Sequence, residues 1–308
     1  MTFNSLADEK IIKKIIKAKH IYGLSYYDQE LYLSNVFNDY VSKIELKKNY
    51  KIKKLKKLSK GWKSFNLTNK GELYGVHSIE FIDKNKLFFL SYLEKKIIFY
   101  DFKENKKKDY YKLNKILKGP SHIFYDKDKN NLLISDYDGS EVYQFNLLNL
   151  SIKKLSNLLN VKFKKPHMTI KNKNKFYILD TKLKKIIIAN EEYDLIDEIN
   201  KENVYFNDKE HFKNKFLQEP VSIKIDSFGN YYIADVGENN CIYIINKNKK
   251  LIGIIENKKI LKNNFVYNLK NLNLNKIYDL SVVNEDIFIA STHTNSVFQI
   301  KNVFINND

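Results

Sequence analysis

Three observations predict an all-β fold, a six-bladed β-propeller with the N-terminal strand closing the last blade. Six stretches of the 308-residue chain share one outline of apolar strand, turn and apolar strand. All three prolines fall at one place in that outline, and the last copy stops one strand short of the others. Short strands at a period of about 40 to 50 residues are the pattern of propeller blades.

The six stretches are ELYLSNVFNDYVSKIEL, KLFFLSYLEKKIIFYDF, NLLISDYDGSEVYQFNL, KFYILDTKLKKIIIAN, NYYIADVGENNCIYIINK and DIFIASTHTNSVFQIKN. Their first strands end on Asn35, Ser91, Asp136, Asp180, Asp235 and Ser291, and the next strand starts five or six residues later. Pro120, Pro166 and Pro220 lie 16, 14 and 15 residues ahead of Asp136, Asp180 and Asp235. A strand begins there, where a missing backbone donor does least harm. YKIKKL, KDYYKLNKI, LSIKKL, YDLIDEI and KLIGII each supply one more strand, making four per unit. The sixth unit lacks its fourth, which IIKKIIKA near the N-terminus supplies, removing an open sheet edge. Ile11, Ile12, Ile15 and Ile16 also fit one face of a helix, but the strand completes the count. The expected blades are 20–56, 75–117, 120–158, 165–198, 219–257, and 276–303 with 10–18, in one domain spanning 1–308.

Composition agrees with a packed fold: 43% of residues are hydrophobic, with 22 Tyr and 20 Phe, too much packable surface for a disordered chain. Cys241 is the lone cysteine, so no intrachain disulfide forms, and a strand-core role suits it better than a nucleophile's. No apolar run approaches the roughly 20 residues that span a bilayer, so no membrane insertion is expected. The start, MTFNSLADEKIIKKIIKAKH, has no secretory h-region, and a cytoplasmic location is the expectation. The net charge is +18, yet the chain contains no Arg. Planar bidentate recognition of phosphate and bases relies on Arg, so no specific nucleic-acid partner is expected. The lysines instead populate loops such as KENKKKDYYKLNK, as solvated charge.

NYYIADVGENNCIYIINK and EPVSIKIDSFGN, with Asp226 and Gly229 at a turn, resemble the signature of the NHL-repeat family of six-bladed propellers. The resemblance is strongest over residues 219–248. It implies the fold, and a range of roles that includes protein scaffolding, RNA binding, a zinc-dependent peptide-processing lyase and, more distantly, lactonases and gluconolactonases. The fold alone does not choose among them.

The periodic histidines are the main chemical signal. His77, His122 and His167 are separated by 45 and 45 residues, the blade repeat, and each begins a first strand in GVHSIEF, GPSHIFY and KPHMTI. First strands line a propeller's channel, so three imidazoles are expected at its mouth, with His20 in AKHIYGL as a fourth member. Three His ligands with one open position suit a catalytic divalent metal, Zn²⁺ first, with Mn²⁺, Fe²⁺ or Ca²⁺ as alternatives. The same residues would otherwise cap inner strands. Counted back from the polar markers, His20, His77, His122 and His167 lie at 15, 14, 14 and 13 residues, and a one-residue slip turns a side chain to the other face unless a bulge corrects it.

Glu219 precedes Pro220 in EPVS, the counterpart of GPSH and KPHM, and is the preferred general base or acid. Glu80 and Asp279 are further channel carboxylates. Tyr22 and Tyr74, beside His20 and His77, are the expected substrate contacts, with Tyr278 and Trp62 as additional aromatic surface. The repeated Asp136, Asp180 and Asp235 read as turn-binding structural residues. His211 and His293 fall outside the periodic set. There is no phosphate-cradling Gly-rich loop, HExxH, GxSxG or paired CxxC.

The expected function is therefore a metal-dependent enzyme that hydrolyses, eliminates or isomerises a small polar, sugar- or acid-like substrate at the channel mouth. The alternative is a non-catalytic scaffold that holds a protein, and less readily RNA, on a propeller face.

Overall fold

The structure, a computed structural model, describes residues 12–17, 21–35, 40–46, 51–54, 76–92, 94–104, 106–206, 212–262, 265–283, 286–301 and 304. Six separate antiparallel sheets form a six-bladed β-propeller. Blade I comprises Ile21–Tyr27, Glu30–Asn35, Tyr40–Glu45 and Lys51–Lys54, and blade II Val76–Asp83, Lys86–Ser91, Lys96–Asp101 and Lys106–Asp109. Blade III runs through Pro120–Asp126, Asn131–Asp136, Glu141–Asn146 and Ile152–Lys154, and blade IV through Pro166–Asn172, Lys175–Asp180, Lys185–Asn190 and Leu195–Ile199. Blade VI comprises Ile277–Val283, Asp286–Ser291 and Ser296–Lys301, and Ile12–Lys17 pairs antiparallel with its last strand.

Blade V departs from expectation. Pro220–Ile225, Tyr231–Asp235, Cys241–Ile245 and Leu251–Glu256 continue into Lys259–Lys262 and Phe265–Asn268, giving a six-stranded sheet. A two-residue turn at Asn257 and Lys258 doubles the chain back into Lys259–Lys262, with Lys258 at a positive φ of 63°, and Phe265–Asn268 pairs antiparallel beyond it. KDYYKLNKI is also not a strand throughout. After Lys106–Asp109 the chain makes one helical turn, Tyr111–Asn114, which buries Leu113. LSIKKL likewise passes from Ile152–Lys154 into the short helix Leu155–Leu159, burying Leu155 and Leu159. In both places the chain follows the apolar residues to the blade junction instead of extending the sheet edge.

The core is divided among six junctions. Separate apolar clusters lie between blades I and II, II and III, III and IV, IV and V, V and VI, and VI and I. The first strands of successive blades pack side by side round the axis, that of blade VI against that of blade I. No helix among the described residues is long and apolar enough to cross a membrane.

The repeated acids are structural, as read. Asp235 accepts hydrogen bonds from the backbone N–H groups of Gln218 (2.7 Å), Glu219 (2.8 Å) and Gly237 (3.0 Å). Asp180 does the same for Lys164, Lys165, Lys182 and Leu183, and Asp136 for Lys118 and Gly119. Ser291 replaces the acid in blade VI, accepting from Asn275 N–H at 2.8 Å. In blades III to VI the marker thus ties the residues ahead of an inner strand to the neighbouring strand end, and in blade V this sets the backbone of Glu219. In blade V, Asp226 caps the turn at Phe228 and Asn230, and Gly229 supplies the required φ of 87°.

Candidate functional site

Every inner strand carries a β-bulge near its start. The register skips between Ile21 and Leu24, Val76 and Ser78, Pro120 and His122, Pro166 and Met168, Pro220 and Ser222, and Ile277 and Asp279. The skip passes over one residue in each of blades II to VI, His77, Ser121, His167, Val221 and Tyr278, and over Tyr22 and Gly23 in blade I; Tyr22 and the other five form one ring of positions. All six line one axial well of about 190 Å³. Tyr92, Tyr137 and Thr181, each immediately after a strand-end marker, and Glu219 complete its lining.

One wall is a continuous ladder of rings. Tyr278 stacks on Tyr22 at 4.2 Å between centroids, Tyr22 lies against His77 at 4.4 Å, and His77 stacks on Tyr92 at 4.9 Å. Tyr137 meets His167 edge-on at 5.6 Å on the other side. The short side chains of Ser121, Val221 and Thr181 leave the space between.

His77 and His167 are buried, 7% and 9% exposed. Both ring nitrogens of His77, and Nδ1 of His167, have no hydrogen-bond partner among the described residues. Burial pulls the His77 pKa down to about 3, with the His167 charge adding to it. His167 falls to about 4, again through burial, while a backbone hydrogen bond with Val221 and the charge of Asp279 oppose the shift. Both are neutral imidazoles at neutral pH. Burial raises the tyrosine hydroxyls, and the Glu219 charge raises Tyr22, Tyr137 and Tyr278 further, so these three stay protonated around one carboxylate. Glu219 lies at the rim, with Lys276 3.9 Å from it.

His122 stands elsewhere. It pairs with Ser135, one position beyond the bulge, level with Ser78, Met168, Ser222 and Asp279. It does not line the well. Burial lowers its pKa well below the ordinary value, the nearby Lys224 charge adds to this, and a backbone hydrogen bond with Thr169 opposes it. Among the described residues no three His, Cys, Asp or Glu are grouped to hold a metal ion. The three-histidine centre expected from the 45-residue spacing is therefore not assembled, because the bulge divides its members between two layers. Among the described residues, the two histidines that share the well do not make up a three-histidine donor set.

The second layer is a polar lattice instead. Asp279 accepts from Leu24 N–H (2.8 Å), Ser222 Oγ (2.7 Å) and its own neighbour Leu280 N–H (2.9 Å), with Lys224 Nζ at 3.6 Å. Glu80 belongs to the same interior. Burial pushes its carboxyl up to about 7 against the pull of Lys224. Gly23 fits here because a Cβ would come within 2.6 Å of the His77 carbonyl oxygen.

His20, Tyr74, Trp62 and His211 lie outside the described residues. Of the other residues singled out, Glu219, Tyr22, Tyr278, His77 and His167 meet in the well, while Glu80, Asp279, His122 and His293 do not line it. Ser121, Val221, Tyr92, Tyr137 and Thr181 were missed. The signal for them was present: aligning the units on the residue after each proline puts Ser121, His167 and Val221 in one ring, and aligning on the residue after each marker yields Tyr92, Tyr137 and Thr181.

No family model matches the chain, and no curated protein matches it in sequence. The NHL-repeat likeness thus rests on its motif. Solved propellers share the architecture. A catalytically inactive virginiamycin B lyase from Staphylococcus aureus, with quinupristin, is 14% identical with a TM-score of 0.61, covering 94% of this chain and 98% of that one. A streptogramin B lyase is 12% identical (TM-score 0.60; 94% and 97% covered). YCF48 bound to D1 peptide is 8% identical (TM-score 0.60; 97% and 99% covered). At these identities the likeness is one of fold.

Proposed function

We propose that the protein is an enzyme that takes a small polar substrate into the axial well and moves a proton with Glu219, in an elimination, isomerisation or hydrolysis. One observation carries this reading: Glu219, the lone carboxylate lining the well among the described residues, shares it with Tyr22, Tyr137 and Tyr278 hydroxyls and two neutral imidazoles. A base needs its acceptor beside groups that hold the reacting oxygen, and protonated phenols are donors suited to a developing negative charge. Asp235 fixes the Glu219 backbone, so the carboxylate departs from a held position. His77 and His167, buried and neutral, flank the substrate on either side of the well. The propeller architecture shared with two lyases is consistent with such chemistry.

The test is a screen of lactones, esters and hydroxy-carbonyl compounds with the wild-type protein, followed by Glu219→Gln. General-base removal lowers kcat by about 10² to 10⁴-fold. Turnover unaffected by Glu219→Gln would sink the assignment of the base, and binding without any turnover would sink the enzyme.

A second reading has its own observation. Leu195 and Ile196, 50% and 44% exposed on the outer strand of blade IV, flank a groove of about 560 Å³ that also includes Val161 and Leu183. Such an apolar edge suits a protein partner. The similar propeller solved with a bound peptide is consistent with that use of the fold. Loss of a captured partner in Ile196→Lys, with the well untouched, would favour it.

A further inference from the structure

We infer that Asp138, which does not line the well, is a positioning residue of its mouth: one carboxylate holds Tyr92 against His77 and, through Lys165, Tyr137 against His167. Its bearing on turnover rests on the reading of the well as the substrate site.

The sequence marks the residue first. Two positions after the strand-end marker the six units have Phe37, Leu93, Asp138, Lys182, Gly237 and His293, so blade III alone places an acid in this turn. The residue ahead of the proline is Lys165 in blade IV and Glu219 in blade V, but Gly119 in blade III. The structure explains the exchange. A Cβ at Gly119 would come within 2.3 Å of Asp138 Oδ2 and 2.8 Å of its Cγ, so the carboxylate occupies the space that a side chain ahead of Pro120 would need. The Asp138 N–H donates to the Gly119 carbonyl at 3.3 Å, and Ser140 Oγ donates to the Lys164 carbonyl at 2.6 Å, which docks this turn onto blades III and IV.

Each carboxylate oxygen then has one partner. Oδ2 accepts from the Tyr92 hydroxyl, and Oδ1 accepts from Lys165 Nζ at 2.8 Å. Tyr92 lies nearly parallel to His77, with 4.9 Å between centroids and 13° between planes. Lys165 Nζ lies 4.5 Å from the centre of the Tyr137 ring, and Tyr137 meets His167 edge-on at 81°. The Lys165 backbone is held in turn by Asp180, which accepts from its N–H at 3.0 Å. Two walls of the mouth are thus tied to one acid. Burial opposes ionisation of Asp138, but the bonds from Lys165 and Tyr92 outweigh it and hold the carboxyl below the ordinary carboxylate range. A partly exposed ion pair adds little to stability, so what Asp138 supplies is orientation. It also sets Tyr92 apart from Tyr22, Tyr137 and Tyr278, because the one hydroxyl proton of Tyr92 is committed to Asp138 and is not offered to a ligand.

The experiment follows the ring NMR signals of His77 and His167 in the full-length protein at neutral pH. Asp138→Ala is expected to shift both sets, although Asp138 bonds to neither ring. Tyr92→Phe shifts the His77 set alone, and Lys165→Met the His167 set alone. Asp138→Asn leaves both near their wild-type positions, because the amide oxygen still accepts from Lys165 and the amide N–H donates to the Tyr92 oxygen. With a substrate found in the screen, Asp138→Ala lowers kcat/KM by about 10 to 10²-fold, and Asp138→Asn restores most of it. Histidine signals unmoved by Asp138→Ala overturn the inference, as does a kcat/KM within about twofold of wild type. Signals shifted as far by Asp138→Asn as by Asp138→Ala also overturn it, since charge and not tethering would then be the cause. If Asp138→Ala does not fold, Tyr92→Phe and Lys165→Met decide. Absence of turnover in the wild type, with both signal sets moving as expected, leaves this inference standing and removes the acid–base reading.

Discussion

Two neighbouring layers of the same six strands serve opposite ends. The bulge layer of Tyr22, His77, Ser121, His167, Val221 and Tyr278 surrounds a well, and its His77 nitrogens have no hydrogen-bond partner among the described residues. The next layer, with Ser78, Ser222 and Asp279, joins the blades: Asp279 bonds across to blades V and I, and Ser78 bonds across to Ile123 of blade III. The two layers are one residue apart in sequence. A bulge that displaces the register converts a position for holding the ring together into one that lines the well.

The largest effect expected in the joining layer comes from Asp279→Ala. It leaves Leu24 N–H, Ser222 and Lys224 without their shared acceptor, and breaking a buried charged network costs about 3 to 5 kcal/mol. Chemical denaturation measures it. A loss under about 1 kcal/mol would mean that this layer does not bind the blades together.

The well layer answers to pH. His77 and His167 have folded pKa values of about 3 and about 4 against 6.5 unfolded, so the unfolded chain takes up more protons in that window. Their contribution is complete above pH 6.5 and is lost as pH falls, by about 2 kcal/mol per histidine at pH 5. Glu80, raised to about 7, acts in the opposite direction over part of the same range. Stability curves of wild type and His77→Phe between pH 7 and 5 isolate the histidine: the wild type falls more steeply by about 2 kcal/mol. Parallel curves would show that His77 is not buried as described.

The smallest effect sharpens the comparison most. His122→Met copies Met168, its counterpart in the next blade, and leaves turnover of any substrate found in the screen within about twofold, because His122 belongs to the joining layer. Elemental analysis offers the converse test. Stoichiometric zinc that disappears when His77, His122 and His167 are all changed to Ala would place the three in one site and erase the distinction between layers.

The architecture was legible because strand, turn and apolar periodicity are local. The two extra strands of blade V were not, since KKILKNNFVYN carries no proline or marker and its pairing depends on the chain doubling back on an existing edge. The one-turn helices that replace parts of two outer strands were hidden for a similar reason: Leu113, Leu155 and Leu159 are drawn to junctions that exist only once neighbouring blades are packed. Glu219 was readable from its place before Pro220, and Tyr22 from its nearness to the histidines. The partition of His77, His122 and His167 was not readable from their spacing, because equal spacing in sequence counts turn length as well as strand position.

By itself, then, the sequence determined six repeated sheets, the structural use of Asp136, Asp180 and Asp235, and the carboxylate at the start of blade V. Those follow from residue type and local order. The tertiary structure alone decided which histidines line the well, which tyrosines stack beside them, and that Glu219 is the one charged side chain among the described residues of its lining. Each of these depends on where a bulge shifts the register and on which side chains adjacent blades bring together, and neither is a property of any one stretch of chain.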